Sequence, residues 1–240
     1  MAEERIQKIL SRLGYGSRRS IEQLIQNNNI IINKKKIILG EKIDIKNIHE
    51  LYINKIKINF NKKKQKIEKR ILIYNKPVGE ISTRKDPLNR ITIFKNLPKL
   101  TNTKWISVGR LDLNTSGLII FTNCGQTANK LMHPKNYIKR VYLARLFGKI
   151  NVFKINMLRM GLTIENNFLH FNEIKIHNSN KTFKWYKVSL YEGKNREIRK
   201  LFNYLQIQVS RLIRIQYGSI SLPHSLYPGN FKELSNKIRI

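Results

Sequence analysis

The chain is poor in acid. Only 15 of its 240 residues are Asp or Glu, against 47 Lys and Arg, and only three are Asp: Asp44, Asp86 and Asp112. The resulting net charge of +32 points to a polyanionic partner, because each neutralised phosphate releases condensed counterions. One cysteine, Cys124, excludes an internal disulfide framework and suits a reducing cytoplasm. The five His residues are scattered and none pairs with a Cys cluster, so metal-ligand spacing is missing. No run of about 18 apolar residues exists, so no membrane span and no membrane partner is expected. Met1 to Arg5 carry acids and no apolar core, so no secretory signal is expected either. No phosphate-cradling glycine loop appears, which disfavours a nucleotide-dependent enzyme. No internal repeat is found.

A hydrophobic fraction of 41% argues for a globular protein of one or two domains with a real core. The charge needs a discount. Lys outnumbers Arg 31 to 16 in a chain rich in Ile and Asn, as an A/T-biased coding sequence would produce. The base composition of the coding DNA tests how much of the charge is drift.

Glu3 to Leu13 reads as a helix, with Ile6, Ile9, Leu10 and Leu13 on one stripe. Gly14 and Gly16 stop it, and Ser17 is expected to cap a second helix carrying Ile21, Leu24 and Ile25. Asn27-Asn28-Asn29 breaks that helix. Ile30 to Ile32, a turn at Asn33 to Lys36, and Ile37 to Leu39 read as strand, turn and strand. Leu51 to Phe60 alternates as a further strand would. Asn61 to Lys69 is almost all charge and amide, and is expected to be a basic linker between domains 1–60 and 70–240.

From Arg70 the pattern changes. Apolar, β-rich runs occur at Ile71 to Tyr74, Trp105 to Val108, Leu118 to Thr122, Val141 to Phe147 and Lys184 to Tyr191. Helices are expected at Thr127 to Met132, ended by His133-Pro134, and at Asn195 to Leu205, where Ile198, Leu201, Phe202 and Leu205 share a stripe. Strands mixed with occasional helices, without regular alternation, predict an α+β domain with a mainly antiparallel sheet.

Asp112 stands out within Gly109-Arg110-Leu111-Asp112-Leu113-Asn114-Thr115-Ser116-Gly117-Leu118. A carboxylate that attacks or deprotonates must stay ionised, which calls for a nearby cation. Arg110, two residues away, would share a face with Asp112 in an extended segment, and a partner from elsewhere in the chain would serve equally. The polar turn at Thr115 to Gly117 leads into an apolar strand, and loops positioned by rigid strands commonly carry catalysis. For an arbitrary Arg-x-Asp, a turn cap or structural ion pair is the simpler reading.

This ten-residue stretch resembles the catalytic signature of the rRNA pseudouridine synthases of the small-subunit and large-subunit type, whose Asp is essential. Lys139-Arg140-Val141-Tyr142 resembles the motif supplying that family's active-site Tyr. Glu192-Gly193-Lys194-Asn195-Arg196-Glu197-Ile198-Arg199-Lys200 resembles its third motif, with Arg199 at the position that pairs with the catalytic Asp. Tyr74-Asn75-Lys76-Pro77-Val78-Gly79-Glu80 resembles the opening of the catalytic domain, and Ser210 to Gly218 another family segment. The front of the chain, with Leu13-Gly14-Tyr15-Gly16-Ser17-Arg18-Arg19, resembles the alpha-L RNA-binding domain of a small-subunit ribosomal protein. A generic helical hairpin with a solvated basic turn is the other reading of that segment.

The resemblance implies isomerisation of a uridine to pseudouridine in large-subunit ribosomal RNA or its assembly intermediate, near the peptidyl-transferase region. It implies no cofactor or metal, a monomer, and a cytoplasmic protein. Asp112 would act as nucleophile or as base on the sugar, Arg199 would orient it, and Tyr142 would stack on the uracil. Expected RNA contacts are Arg12, Ser17, Arg18 and Arg19 at the front, and Arg84, Lys85, Arg90 and Arg110 beside the site. The rivals are a non-catalytic ribosome-associated RNA binder, a synthase acting on another uridine, and a DNA-binding architectural protein.

Overall fold

The computed structural model describes residues 3–58, 68–101, 103–147, 150–179 and 183–235. The chain divides into two compact units, Met1–Lys69 with Lys99–Lys104, and Arg70–Pro98 with Trp105–Ile240. Most of the expected linker, 61–67, lies outside the described residues.

In the first unit, strand β1 (Glu4–Arg5) precedes helices α1 (Ile6–Arg12) and α2 (Arg18–Gln26). Then follow β2 (Ile30–Ile32), β3 (Lys35–Lys36), β4 (Lys42–Ile43), β5 (Leu51–Ile53) and β6 (Ile56–Ile58). The sheet order is β3-β2-β5-β6, with β1 paired separately to β4. The first helix is thus shorter than its apolar stripe predicts, because Glu4 and Arg5 pair with Ile43 and Lys42. Ile6, Ile9 and Leu10 still form the buried stripe, packed with Ile21, Ile25, Ile30, Ile32 and Leu51. Burial of each such side chain stabilises the fold by about 1.5–3 kcal/mol.

Ser17 caps α2, its Oγ accepting from Ser20 N at 3.1 Å. At the other end Asn28 takes φ 54°, and Asn29 N and Asn28 N donate to the carbonyls of Leu24 and Ile25 at 2.8 and 3.0 Å. That is a Schellman ending with Asn in glycine's usual place.

Two strand expectations are corrected. The turn after β2 is only Asn33-Lys34, both with positive φ, so the return strand is Lys35–Lys36 and not Ile37 to Leu39. Leu51 to Phe60 is not one strand, because Asn54 and Lys55 repeat the same left-handed pair and fold it into the hairpin β5–β6. A two-residue turn with φ above zero at both positions matches the twist of the strands it joins.

The second unit contains β7 (Ile71–Lys76), β8 (Ile106–Val108), β9 (Ser116–Thr122), α3 (Gly125–Met132), β10 (Arg140–Phe147) and α4 (Val152–Met160). It continues with β11 (Leu162–Ile164), β12 (Asn167–Leu169), β13 (Glu173–Ser179), β14 (Phe183–Leu190), α5 (Glu197–Tyr204), β15 (Val209–Tyr217), β16 (Ile220–Ser221) and β17 (Phe231–Leu234). The sheet runs β13-β14-β10-β15-β9-β7-β17, with β8 added on β9 and β16 on β15. All of its pairs are antiparallel except β9 with β15. This is the mixed, mainly antiparallel α+β arrangement expected.

One face is filled by Ile71, Ile73, Val108, Leu118, Ile120, Ala128 and Leu131. Phe121 packs edge-on against Tyr74 and Phe94, with ring centroids 6.3 and 5.3 Å away. In α5, Ile198, Leu201, Phe202 and Leu205 are all buried, as their spacing predicts, although the helix begins at Glu197 rather than Asn195. Among the described residues no helix is long and apolar enough to cross a membrane.

Candidate active site

Asp112 lies in the loop between β8 and β9. Thr115 N donates to the Asp112 carbonyl at 3.1 Å, closing a tight turn, and Gly117 takes φ 102° where β9 begins beside β15. A Cβ on Gly117 would meet the Arg214 carbonyl oxygen at 2.3 Å, so only glycine permits this approach.

The turn and the strand β9 that follows it are held by three buried cations, none of which forms an ion pair with Asp112 among the described residues. Lys76 Nζ donates to the carbonyls of Leu113 at 3.3 Å, Thr115 at 2.8 Å and its neighbour Pro77 at 2.8 Å. Arg199 Nη2 donates to Asn114 O at 3.0 Å, and Arg214 Nε to Leu118 O at 2.7 Å. Backbone carbonyls carry two lone pairs each, and a buried one left bare is costly. Lys76 and Arg199 therefore fix the position of the Asp112 turn through its backbone, and Arg214 fixes the start of β9.

Loop residues that follow β7 add a second clamp. Gly79 N donates to Leu113 O at 2.9 Å. Ser82 Oγ donates to Leu111 O at 2.7 Å and accepts from Leu111 N at 3.1 Å. Tyr74 Oη donates to the Glu80 carboxylate at 2.8 Å, and burial together with Glu80 pushes the Tyr74 phenol well above its usual range. The Tyr74 to Glu80 motif is thus the support of the Asp112 turn.

Asp112 faces a cleft of about 830 Å³ in the second unit. Eight cations line it: Lys85, Arg90, Arg110, Arg140, Lys194, Arg196, Arg199 and Arg214, against the carboxylates of Asp86, Asp112 and Glu197. Tyr142, on β10, is 7% exposed and lines the same cleft. Its neighbour across the sheet is Arg214, and the register slips by one residue between Val141 and Tyr142, leaving Ile215 unpaired on β15.

Burial lowers the Lys76 pKa to about 8, opposed by attraction to Glu80 and Asp112. Burial also lowers that of Arg199, opposed by attraction to Asp112 and reinforced by repulsion from Arg196. The Glu197 carboxyl is pushed up by burial, although Lys194 N donates to it at 3.0 Å. Hydrogen bonds from Arg90 draw Asp86 down to about 2.

Asp112, Tyr142 and Arg199 come together in one cleft, with Arg110, Lys85 and Arg90. The contact between Asp112 and Arg199 differs from what the motif implies. The guanidinium makes its hydrogen bonds to backbone, Nη1 to Val209 O at 2.9 Å and Nη2 to Asn114 O at 3.0 Å. Arg84 is not part of the lining and stacks on Phe94, 4.2 Å from the ring centroid. In the first unit Arg18 and Arg19 are exposed, while Arg12 is bound to Glu4 at 2.6 Å and the Ser17 hydroxyl is used as the helix cap.

Sequence reasoning passed over Lys76, Ser82, Arg140, Glu197 and Arg214. The signal for two of them was present: arginine kept in a lysine-rich chain marks positions 140 and 214 as it marks 110, 196 and 199.

Residues 70–204 match the family model for RNA pseudouridylate synthase, and residues 4–45 match that for the S4 domain. The chain belongs to the RNA pseudouridylate synthase family. It is an intramolecular isomerase with an N-terminal S4 domain and a larger catalytic domain. It is 49% identical over 236 residues to the ribosomal large subunit pseudouridine synthase B of Buchnera aphidicola subsp. Acyrthosiphon pisum, covering 98% of this chain and 94% of that one. It is 44% identical to the synthase of the same name from Haemophilus influenzae, covering 96% of this chain and 64% of that one. A crystal structure of a pseudouridylate synthase superposes with a TM-score of 0.65 at 21% identity, covering 96% of each chain. At that identity the likeness speaks for the fold alone.

Proposed function

We propose that this synthase isomerises one uridine of large-subunit ribosomal RNA, near the peptidyl-transferase region, acting as a cytoplasmic monomer on the RNA or its assembly intermediate. The observation that carries the reading is Asp112, held at a rigid turn in a cleft lined by eight cations. The names of the relatives supply the class of RNA.

Asp112 works on the sugar, as nucleophile or as base, while the C1′–N1 bond breaks and C5 is joined to C1′. Tyr142 stacks on the uracil. Arg199 acts by holding Asn114, and through it the turn that aims Asp112. A uridine in folded RNA must leave its stack, at a cost of roughly a few kcal/mol. Contacts from Lys85 and Arg110 at the cleft, and from Arg18 and Arg19 in the S4 domain, offset that cost. Arg12, Ser17, Arg84 and Arg90 play a smaller part, because their side chains already have uses within the fold, Arg90 in its pair with Asp86.

The test maps pseudouridine by mass spectrometry in large-subunit and small-subunit rRNA treated with wild-type protein or Asp112→Asn. A new pseudouridine in large-subunit RNA that requires Asp112 is expected. Modification of small-subunit RNA alone would move the target. Modification that persists in Asp112→Asn would remove Asp112 from the chemistry.

A further inference from the structure

Among the described residues, five buried side-chain polar atoms have no partner, and three of them belong to residues lining the cleft: Thr115 Oγ1, Arg199 Nε and Arg214 Nη2. Arg214 is the most enclosed of the charged ones, at 2% exposure. Its Nε is committed to Leu118 O at 2.7 Å, and its guanidinium carbon lies 5.1 Å from the Tyr217 ring centroid. Arg140 lies 5.0 Å from that same centroid, so the ring is flanked by two guanidinium groups and Arg214 is held in place. A buried cationic donor without an acceptor is unfavourable unless something else completes it.

We infer that the Arg214 guanidinium donates to a carbonyl oxygen of the flipped-out uracil and stabilises the charge left on the ring when the glycosidic bond breaks. The inference rests on the reading of Tyr142 as the residue that stacks on the base.

Two observations select the base over a backbone phosphate. Arg214 is paired across the sheet with Tyr142, and such partners share a face with their Cβ atoms about 4.5–5.5 Å apart. A ring stacked on Tyr142 therefore lies beside Arg214. An RNA phosphate stays outside on the hydrated backbone, where the exposed Arg110 and Arg196 are better placed to meet it.

The chemistry balances without a further reactant. The C1′–N1 bond breaks with its electron pair kept by the uracil, which spreads the charge over O2 and O4. After the ring turns, C5 bonds to C1′, the C5 proton leaves and N1 takes one up. Arg214 transfers no proton. It supplies a charge-assisted hydrogen bond, fixed in advance where negative charge develops.

The experiment measures single-turnover pseudouridine formation and RNA affinity for wild type, Arg214→Lys and Arg214→Gln on a large-subunit rRNA transcript, with thermal melting to confirm folding. The lysine variant keeps the charge but cannot serve both Leu118 O and the base. Its turnover is expected to fall by about 100-fold, the usual loss for one such donor, with RNA affinity within about twofold. Transcripts carrying 2-thiouridine or 4-thiouridine replace one carbonyl oxygen by a poorer acceptor. One of the two should slow wild type and leave the lysine variant no slower than it already is, which a purely structural role would not produce.

Wild-type turnover in Arg214→Lys would overturn the inference. So would thio-effects equal in variant and wild type. If the variants do not fold, the thio-effects on wild type decide alone, and their absence at both positions overturns it. Failure of wild type to modify the rRNA at all would overturn the functional reading itself, and is visible without any Arg214 variant.

Discussion

Arg199 reaches under the Asp112 turn to hold Asn114: its Nη2 donates to the Asn114 carbonyl at 3.0 Å while Nη1 donates to the Val209 carbonyl at 2.9 Å. The planar fork ties the Asp112 turn to β15 through one side chain. Lysine at this position offers a single nitrogen and cannot span both carbonyls. Arg199→Lys is expected to lower single-turnover rate by about 10- to 100-fold, since small misplacements of a reacting group are costly in rate. Stability should drop by about 1–3 kcal/mol, for a buried carbonyl left bare. Rate and melting curves measured together check this. A variant that melts early but turns over normally would make Arg199 purely structural.

Lys76 makes the site sensitive to alkali. Its ammonium has three N–H bonds and three carbonyl acceptors, at Pro77, Leu113 and Thr115. The neutral amine has only two donors, so losing the proton frees one carbonyl, and two of the three belong to the Asp112 turn. With the pKa lowered by burial to about 8, turnover is expected to decline as pH rises through that value. Stability should move the other way. The unfolded chain keeps this proton up to about pH 10.5 and the folded one only to about 8, so the unfolded state binds more protons between them. In that window the contribution of Lys76 to stability rises with pH. Lys76→Met should give a low rate without this alkaline limb. A limb retained in the methionine variant would assign it to another group.

Periodicity and turn chemistry made much of this fold legible. The stripe of Ile6, Ile9 and Leu10, the cap at Ser17 and the stripe of α5 all rest on local rules, and the molecule follows them. What the local rules miss is of two kinds. Helix α4 carries Val152, Phe153 and Met160 exposed and only Leu158 buried, so its apolar residues form no stripe to read. Its boundaries come from the Asn151 cap, whose Oδ1 accepts from Lys154 N at 2.9 Å, and from Gly161. The other kind is long-range. Lys76 lies 37 and 39 residues from the carbonyls of Leu113 and Thr115, and Arg214 lies 96 residues from Leu118. Asp112 could be singled out because acid is scarce and Arg199 by its place in a motif, but Lys76 and Arg214 look like two more basic residues until the strands are paired.

Gly117 tests how tightly the turn is coupled to β15. It has φ 102°, and an added Cβ would meet Arg214 O at 2.3 Å and Arg214 N at 2.8 Å. Both are backbone atoms and cannot rotate away. Gly117→Ala should therefore lose stability beyond the order of 1–3 kcal/mol expected for backbone strain alone. That corresponds to a fall in Tm of at least about 4 °C. Turnover should fall with it at temperatures where the variant is still folded, because both Arg214 and the Asp112 turn must shift. An alanine variant with wild-type Tm would show that the two strands can separate freely.

The S4 domain offers a prediction about salt. Arg18 and Arg19 are exposed at the start of α2, and neither takes part in an ion pair among the described residues. Arg12 differs: it is bound to Glu4 at 2.6 Å, so neutralising a phosphate with it first requires that pair to open. Each phosphate contact adds about 0.7–0.9 to the slope of log affinity against log salt. The double variant Arg18→Ala, Arg19→Ala should reduce that slope by about 1.5 on large-subunit rRNA, whereas Arg12→Ala should change it by less than about half as much. Binding titrations at several salt concentrations measure both. An unchanged slope in the double variant would place the electrostatic grip on the cleft cations Lys85 and Arg110, and those two would then have to carry the salt dependence.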